Sequence, residues 1–360
     1  MERSILKEIT GANLETYFKE RQYDAMFYPS LFPLKNVLRL DYTTLIGEQN
    51  GRVAADIIAF NASAPLKSRQ IVSKLEGDIP KTAVKRKMSE SDFLDYFTLS
   101  QLASTDEKQI LDLVFSDIDF VVDSVAGRLE WLALTAINKT TVELTVSNNN
   151  GLVTAVAVDF QMPTNNKKAA SVAWGSGVTT SKPITDFKTV VKSARAKGRK
   201  LAYALMNPDT FDYMLDSTEM QNLIKAYFKL EVSSVVPIQS LDAVNAVLKG
   251  NQLPEIIIID QSIGIENKAG VITYANPFTA DFVTFVPSLV LGDYLNAPIA
   301  EELAKPAQVI QSKAGNILVS KFSLVDPVAE FTKGECNSFP SWKNIDSCWS
   351  LRATATTWSA

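Results

Sequence analysis

Hydrophobic residues recur at helical spacing along one long stretch in the first half of the chain. The apolar positions are Ile110, Val114, Ile118, Val121, Val125, Leu129, Leu132 and Ala136. They follow one another at steps of three or four residues, which places them on one face of an α-helix. Ser104 and Glu107 form a capping box at the start of the pattern. At about 1.5 Å per residue, a helix from Thr105 to about Ile137 is on the order of 50 Å long, so we predict one rigid spine helix.

Alternating patterns rich in β-branched residues predict two β-hairpins. Residues 42–47 and 53–60 flank the turn Gln49-Asn50-Gly51, and residues 140–146 and 152–160 flank an asparagine-rich loop. Asn-Gly between two such patterns is a strong hairpin signal. The first hairpin has too little sequence between its strands to build a core of its own. We therefore expect it to project from the domain that carries it.

The segment before the first hairpin has the character of an arm. Residues 1–40 begin with a short helical pattern, and Phe27–Leu34 then holds two prolines and three aromatic residues. That composition excludes a helix interior and predicts an extended chain. An apolar arm without its own core must lie on another surface. The sequence leaves open whether this surface is the arm's own domain or a neighbouring chain.

The second half of the chain alternates between helix and strand patterns. A helix over residues 184–197 ends at Gly198, a strand follows over residues 200–206, and Asn207 caps a further helix that has Pro208 at its first position. From about residue 307 the chain returns to β patterns. The whole pattern predicts an α+β protein.

The amino-acid composition excludes most common arrangements of catalytic residues. The chain has 360 residues, with 36 basic and 40 acidic residues, two cysteines and no histidine. Without histidine there is no Ser-His-Asp triad, no Cys-His dyad and no His-ligated metal. We expect Cys336 and Cys348 to be reduced thiols, since two cysteines make no disulfide framework. The sequence predicts neither a signal peptide nor a membrane span.

Three motifs resemble sites with a chemical role, and each has a simpler structural explanation. Asp117 and Asp119 diverge by about 200 degrees on a helix, which argues against a metal pair. The loop Gly175-Ser176-Gly177 lacks the spacing of a phosphate-binding loop. The basic run 182–200 suits either a nucleic-acid patch or a solvated helix face, and we favour the solvated face. We expect no catalytic residue, no cofactor and no metal site.

Two neighbouring segments have opposite charge. Residues 67–87 carry seven Lys or Arg residues against two acidic ones, whereas the flanks of the predicted spine helix are acidic. A projecting hairpin does not easily fold back over its own spine, so the spine of a second copy is its natural partner. The residues that we predict at this inter-subunit contact are Lys67, Arg69 and Lys74 on the basic segment and Asp112, Asp119 and Asp123 on the spine helix.

Several short motifs follow one another over about residues 25–230. They are Leu31-Phe32-Pro33, Tyr42–Ile46, Ala64-Pro65, Glu130-Trp131-Leu132-Ala133-Leu134, Val158-Asp159-Phe160, Trp174 and Asn207-Pro208. An apolar arm, a basic hairpin, an acidic spine, a β layer and an α/β domain follow one another along the chain. This order resembles tailed-phage major capsid proteins, and the motifs resemble the lambda-type major head proteins, also called the phage capsid E family.

The resemblance implies the shell fold of tailed-phage coat proteins, in which the arm and the extended loop reach over neighbouring copies. It implies five regions along this chain. They are an N-terminal arm (1–40), an extended loop region (41–88), a peripheral domain with the spine helix (89–183), an axial domain (184–305) and a C-terminal segment that returns to the peripheral domain (306–360).

The function that the resemblance implies is structural. Copies of the chain are expected to form hexamers and pentamers of an icosahedral head that encloses double-stranded DNA without sequence specificity. Expected partners are a portal, scaffolding proteins and decoration proteins, and assembly is expected in the cytoplasm of the host bacterium, with the product in the virion. The sequence leaves two alternatives open: an encapsulin-like shell around enzyme cargo, and an enzyme that uses carboxylates.

Overall fold

The computed structural model describes residues 11–21, 25–47, 72–101, 107–145, 147–149, 156–229, 240–267, 269–326 and 328–359. The helices in this part of the chain are α1 (Gly11–Glu20), α2 (Tyr28–Leu31), α3 (Glu90–Gln101), α4 (Glu107–Lys139), α5 (Pro183–Ala196), α6 (Pro208–Asp216), α7 (Thr218–Phe228), α8 (Leu241–Gly250) and α9 (Ala300–Ala304). The strands are β1 (Leu34–Asn36), β2 (Asp41–Gly47), β3 (Val72–Asp78), β4 (Lys81–Met88), β5 (Thr141–Leu144), β6 (Val156–Asp159), β7 (Lys167–Ala169), β8 (Tyr203–Met206), β9 (Glu255–Ile258), β10 (Ile263–Glu266), β11 (Ile272–Ala275), β12 (Phe282–Val286), β13 (Asp293–Ala297), β14 (Ile310–Ala314), β15 (Ile317–Val325), β16 (Val328–Ser341) and β17 (Trp349–Arg352).

The predicted spine is a single helix. α4 runs for 33 residues, and its predicted apolar stripe is buried from Ile118 onward. Towards its C-terminal end the helix is covered on further sides, where Leu134 and Ile137 are also fully buried. Thr140 ends the helix with a φ of 61°. The predicted capping residue Ser104 lies outside the described residues.

The spine lies across a six-stranded sheet. β16 is the centre of this sheet and pairs antiparallel with β4, β13 and β15, while β14 continues beyond β15 and β1 pairs parallel with β13. Helix and sheet approach each other closely at Gly334 of β16. A Cβ at this position would come within 2.9 Å of the carbonyl oxygen of Val121. The crossing of α4 over β16 therefore requires glycine there.

A five-stranded sheet carries the α/β half, in the order β7-β17-β12-β8-β9. β8 and β9 are parallel, as expected for strands joined through helices. The apolar sides of α5 to α8 form one core with this sheet, in which Phe187, Phe285 and Trp349 are fully buried. Asn207 caps α6 by accepting a hydrogen bond of 2.8 Å from the backbone N–H of Asp209, as the sequence predicts.

The C-terminal segment divides between the two sheets. Residues 310–341 supply β14, β15 and β16 to the sheet under the spine, whereas β17 enters the five-stranded sheet between β7 and β12. The resemblance implied that residues 306–360 return to the peripheral domain. That division stays a prediction, and β17 lies between β7 of the predicted peripheral domain and β12 of the predicted axial domain. The reason is packing: Trp349 and Leu351 alternate into the apolar core beside α5.

β2 begins the first predicted hairpin, and its partner among the described residues is β3. β2 pairs antiparallel with β3, so Gly47 lies opposite Val72. The strand predicted over residues 53–60 lies outside the described residues. β5 and β6 pair as predicted, with Thr141 opposite Asp159. Among the described residues, no helix offers an apolar stretch long enough to cross a membrane.

Candidate assembly site

The arm is anchored to the spine by a buried carboxylate. Glu130 of α4 is fully buried and accepts hydrogen bonds from the backbone N–H groups of Phe27 (2.9 Å) and Tyr28 (2.7 Å). These donors lie at the start of α2, where N–H groups have no partner within the helix. Burial raises the pKa of Glu130, and the two backbone hydrogen bonds oppose that rise. Phe27–Leu34 was expected to be extended, but a helical turn forms because Pro29 fits the first turn of a helix.

Apolar contacts and main-chain hydrogen bonds hold the rest of the arm. Leu31 and Phe32 are buried in the same core as the spine. The ring of Tyr28 packs edge-on against that of Tyr294 at 5.1 Å, and the hydroxyl of Tyr294 donates to the carbonyl of Leu129 at 3.0 Å. β1 then adds to the edge of the six-stranded sheet beside β13. The described part of the arm thus covers its own domain as far as Phe32, whereas Leu38 and Leu40 further along are exposed.

Helix α1 contacts the acidic flank of the spine. Arg21 forms ion pairs with Asp119 and with Asp123, the latter at 2.8 Å. The hydroxyl of Tyr17 donates to Asp119 at 2.6 Å, and its ring stacks on that of Phe115 at 4.3 Å. The two aspartates that we assigned to an inter-subunit contact are therefore also the partners of an arginine in their own chain.

The end of the basic segment lies on its own spine. Arg86 of β4 forms an ion pair of 3.3 Å with Asp117, and its guanidinium group lies 4.6 Å from the centre of the Phe120 ring. Lys81 pairs with the buried carboxylate of Glu335 at 2.5 Å. Residues 81–88 are held in the six-stranded sheet, so this part of residues 67–87 does not project.

The structure describes the side chains of only some of the predicted contact residues. Lys74 lies on β3 opposite Leu45, and Asp112 lies on α4, with both side chains outside the described set. Lys67 and Arg69 lie wholly outside it. Asp119 and Asp123 are on the outer flank of α4, with side chains 32% and 51% exposed. Their contact with a second copy stays a prediction.

A buried ion pair lies beneath the spine. Lys321 of β15 and Glu330 of β16 approach to 3.2 Å, and their side chains are 1% and 2% exposed. Burial lowers the pKa of Lys321, while the carboxylate of Glu330 opposes that shift. The neighbouring strand β4 brings Arg86 to the same level of the sheet, where Arg86 pairs in register with Thr332.

The motifs with a possible chemical role have structural partners. Asp117 faces Arg86 and Asp119 faces Arg21, so the two carboxylates do not converge. In the glycine loop, the N–H of Gly177 donates to the carboxylate of Asp216 at 2.7 Å, where a phosphate would meet a negative charge. No group of His, Cys, Asp and Glu in the described part of the chain is placed to hold a metal.

Both cysteines are buried and unbridged. Burial raises the pKa of Cys336 to about 12 and also raises that of Cys348. Because the thiolate is the reactive form, neither group is suited to nucleophilic or redox chemistry.

Sequence reasoning missed two residues at this site, Arg21 and Glu130. Glu130 stands alone as an acidic residue between Leu129 and Trp131 in the most apolar part of the spine, which was a usable signal. A buried charge in such a run requires partners. Arg21 carried no comparable signal, since it lies in a segment with charges on several sides.

Comparison with known proteins gives a family match and solved structures of similar fold. The profile of the family described as Phage major capsid protein E matches residues 22–262. Among curated proteins, none matches the sequence. A solved structure assigned as a prophage capsid protein of Escherichia coli CFT073 superposes with a TM-score of 0.56 at 13% identity, covering 96% of this chain and 99% of that one. A phage-related protein from Bordetella bronchiseptica RB50 superposes with a TM-score of 0.55 at 12% identity, covering 96% and 97%.

These similarities agree with the arrangement of elements. The two superpositions show a shared fold over nearly the whole chain, and the profile covers the arm from residue 22, the spine and the α/β half as far as β9. The predicted resemblance and the predicted α+β shell fold are both confirmed. The chain belongs to the phage major capsid protein E family.

Proposed function

We propose that copies of this chain close into the icosahedral head of a tailed bacteriophage and that this head encloses double-stranded DNA. The observation that carries the proposal is the β2–β3 sheet, whose strands pair with each other and with no other described strand. A two-stranded element of this kind is marginal on its own and gains stability from a neighbouring surface. Closed symmetry supplies such a surface, because each copy covers the next. Family membership supports the same conclusion.

The inter-subunit contact is proposed between the basic hairpin and the acidic flank of the spine. Lys67, Arg69 and Lys74 of one copy would face the carboxylates of Asp112, Asp119 and Asp123 in its neighbour. In support, Asp119 and Asp123 keep exposed sides although Arg21 binds them. A rim of opposite charges favours the correct register between copies more than it adds affinity.

The role is structural, and we expect no enzymatic activity, because shell closure requires only complementary surfaces. The copies are expected to form hexamers and pentamers. A portal, scaffolding proteins and decoration proteins are the expected additional partners. Assembly is expected in the cytoplasm of the host bacterium, with the finished shell in the virion.

Electron microscopy of the expressed chain, produced with its neighbouring genes, tests the proposal. We expect closed shells of uniform diameter that protect DNA from added nuclease. Folded chains that form no particles would contradict the shell. Shells that contain protein cargo and no protected DNA would contradict the second half of the proposal and support an encapsulin-like role.

Charge reversal tests the proposed contact. The variant Arg69→Glu with Lys74→Glu is expected to lose shells while the purified chain stays folded by circular dichroism. A matched variant, Lys249→Glu with Lys305→Glu, changes the same charge at exposed lysines away from the hairpin and should assemble normally. Normal assembly of the hairpin variant would show that the contact is wrong.

A further inference from the structure

One side of helix α5 carries a row of exposed cations. Lys188, Lys192 and Arg195 follow at steps of four and three residues, which places them on one face of the helix. All three are exposed, whereas Phe187 and Val190 on the opposite face are fully buried. At about 1.5 Å per residue, the row spans about 10 Å.

Acidic groups near this row have other hydrogen-bond partners. The carboxylate of Glu219 accepts from the backbone N–H groups of Ile184 and Thr185 and from the Thr185 hydroxyl, at the start of α5. Asp186 turns inward, where its carboxylate accepts hydrogen bonds from the indole N–H of Trp174 at 3.0 Å and the backbone N–H of Ser171 at 2.9 Å. Asp346 pairs with Arg199 at 3.6 Å, and its side chain is 8% exposed. Within the described residues, none of the three cations of the row forms an ion pair.

The surroundings of the row extend its charge. Lys182 precedes the helix and Lys200 follows it, and both are exposed. Lys197 turns towards the sheet, where its ammonium group donates to the side chain of Asn166 at 2.9 Å. The whole chain has a net charge of -4. The positive charge of this face is therefore a local feature, since the chain as a whole is acidic.

The face lacks the groups that anchor protein partners. Its other exposed side chains are small, such as Thr185 and Thr189, and no large apolar side chain is exposed among residues 182–200. Protein interfaces concentrate their energy in aromatic and other large side chains. A row of cations without large apolar neighbours instead suits phosphate oxygens. The length of the row equals about three steps of the axial rise per phosphate of one DNA strand, which is about 3.4 Å.

We propose that the exposed face of α5 binds the phosphate backbone of DNA without regard to sequence. This inference rests on the proposed function, because it names the surface through which the enclosed DNA is held and requires that surface to line the inside of the shell. Apart from the cations themselves, the exposed side chains of this face are short and include no Asn or Gln, so we expect contacts to phosphates and no selection of sequence.

A salt series on the purified full chain tests the inference. The variant carries Lys188→Glu, Lys192→Glu and Arg195→Glu, and the matched control carries Lys229→Glu, Lys249→Glu and Lys305→Glu at exposed positions. Fluorescence anisotropy of a labelled 20-base-pair duplex gives the dissociation constant between about 50 and 200 mM salt. We expect affinity to fall at least tenfold in the variant only. The slope of log affinity against log salt should lose about 2 to 3, since each phosphate contact contributes about 0.9.

Electron microscopy of the same proteins separates this inference from the proposed function. Shells in the variant together with weakened DNA binding support the α5 surface. Equal loss of affinity in variant and control, or none in either, would overturn it. Shells lost with DNA binding intact would also overturn it, because the face is then a contact between copies. Absence of shells in the unmodified chain refutes the proposed function and leaves the binding measurement valid.

Because acidic residues near a helix C-terminus are unfavourable, a milder variant guards against misfolding. Lys188→Gln with Lys192→Gln and Arg195→Gln removes the charge without reversing it. It should lower the affinity in the same direction by a smaller factor, and two unrelated duplex sequences should bind equally. A preference of tenfold or more for one sequence would contradict backbone recognition.

Discussion

The carboxylate of Glu130 in the spine accepts a hydrogen bond of 2.7 Å from the backbone N–H of Tyr28 in the arm. The same carboxylate accepts a second bond from Phe27. One buried charge thus satisfies two donors that the first turn of α2 leaves open. The arm is held by a polar contact as well as by apolar packing, and this contact responds to both substitution and pH.

Substitution of Glu130 by alanine should release the arm. Two buried N–H groups lose their acceptor, which costs about 2 to 4 kcal/mol in the free energy of unfolding. Urea unfolding measures this loss, and trypsin should cleave at Arg21 faster than in the unmodified chain. Glu143→Ala is the matched control, because Glu143 is exposed on β5. An arm that stays resistant to trypsin in Glu130→Ala would show that apolar contacts alone hold it.

The same residue predicts a pH dependence. The pKa of Glu130 is raised in the folded chain, so the folded state binds this proton more tightly than the unfolded state does. Stability from this group is complete below the ordinary carboxyl pKa of about 4.3 and is lost as the pH rises through the raised value. The melting temperature of the unmodified chain, compared with Glu130→Gln, should therefore fall relative to the variant from pH 4 towards pH 7. A constant difference across this range would contradict the prediction.

Gly334→Ala should destabilise the contact between spine and sheet. The added Cβ meets the backbone of Val121, which cannot move away without shifting α4, and such overpacking costs about 1 to 3 kcal/mol. Gly127→Ala is a useful counterpart on the spine itself, since its nearest neighbour would be 3.8 Å away. It should be neutral or stabilise the chain by up to about 1 kcal/mol through helix propensity. Thermal unfolding distinguishes the two, and equal effects would contradict the close crossing.

The buried pair of Lys321 and Glu330 should show strong coupling. Lys321→Met leaves a buried carboxylate without its ammonium partner and should cost about 3 to 5 kcal/mol. Adding Glu330→Leu should recover most of this loss, because apolar residues often replace a buried ion pair at little cost. Chemical unfolding of the two single variants and the double variant gives the coupling energy. Additive losses would show that the two side chains act independently.

Cys336 and Cys348 should be unreactive in the folded chain. Their raised pKa values leave almost no thiolate at pH 8, and both side chains are buried. Ellman's reagent should therefore detect no thiol in the native chain and two thiols per chain in denaturant. Rapid reaction of either thiol in the native chain would contradict the described packing.

Local sequence patterns predicted those elements that form through interactions between residues near one another in the chain. The spine helix and the helix–strand alternation after residue 184 follow from hydrophobic period and capping residues that lie within one or two turns of each other. Helix α3 was not predicted, although Ser89 and Asp92 cap its start through a hydrogen bond of 2.8 Å. Its amphipathic pattern is weak, and its exposed face carries Leu94 and Phe97.

The contacts that organise the site could not be predicted in the same way. Arg21 and Asp119 are 98 residues apart, and Phe27 and Glu130 are 103 residues apart. No periodic signal links positions at such separations. The Asn-Gly turn predicts a strand beside β2 over residues 53–60, which lie outside the described residues, and no local signal predicted that β3, which begins at Val72, pairs with β2. The turn signal is local, but register is set by the whole sheet.

The position of β17 has a consequence for the order of events during synthesis. Neither sheet is complete before the last sixth of the chain exists: β16 is the centre of one, and β17 joins β7 to β12 in the other. A growing chain therefore completes the six-stranded sheet only with residue 341 and the five-stranded sheet only with residue 352. A chain that stops before residue 328 would lack the central strand of one sheet and an inner strand of the other, so neither layer could form as described.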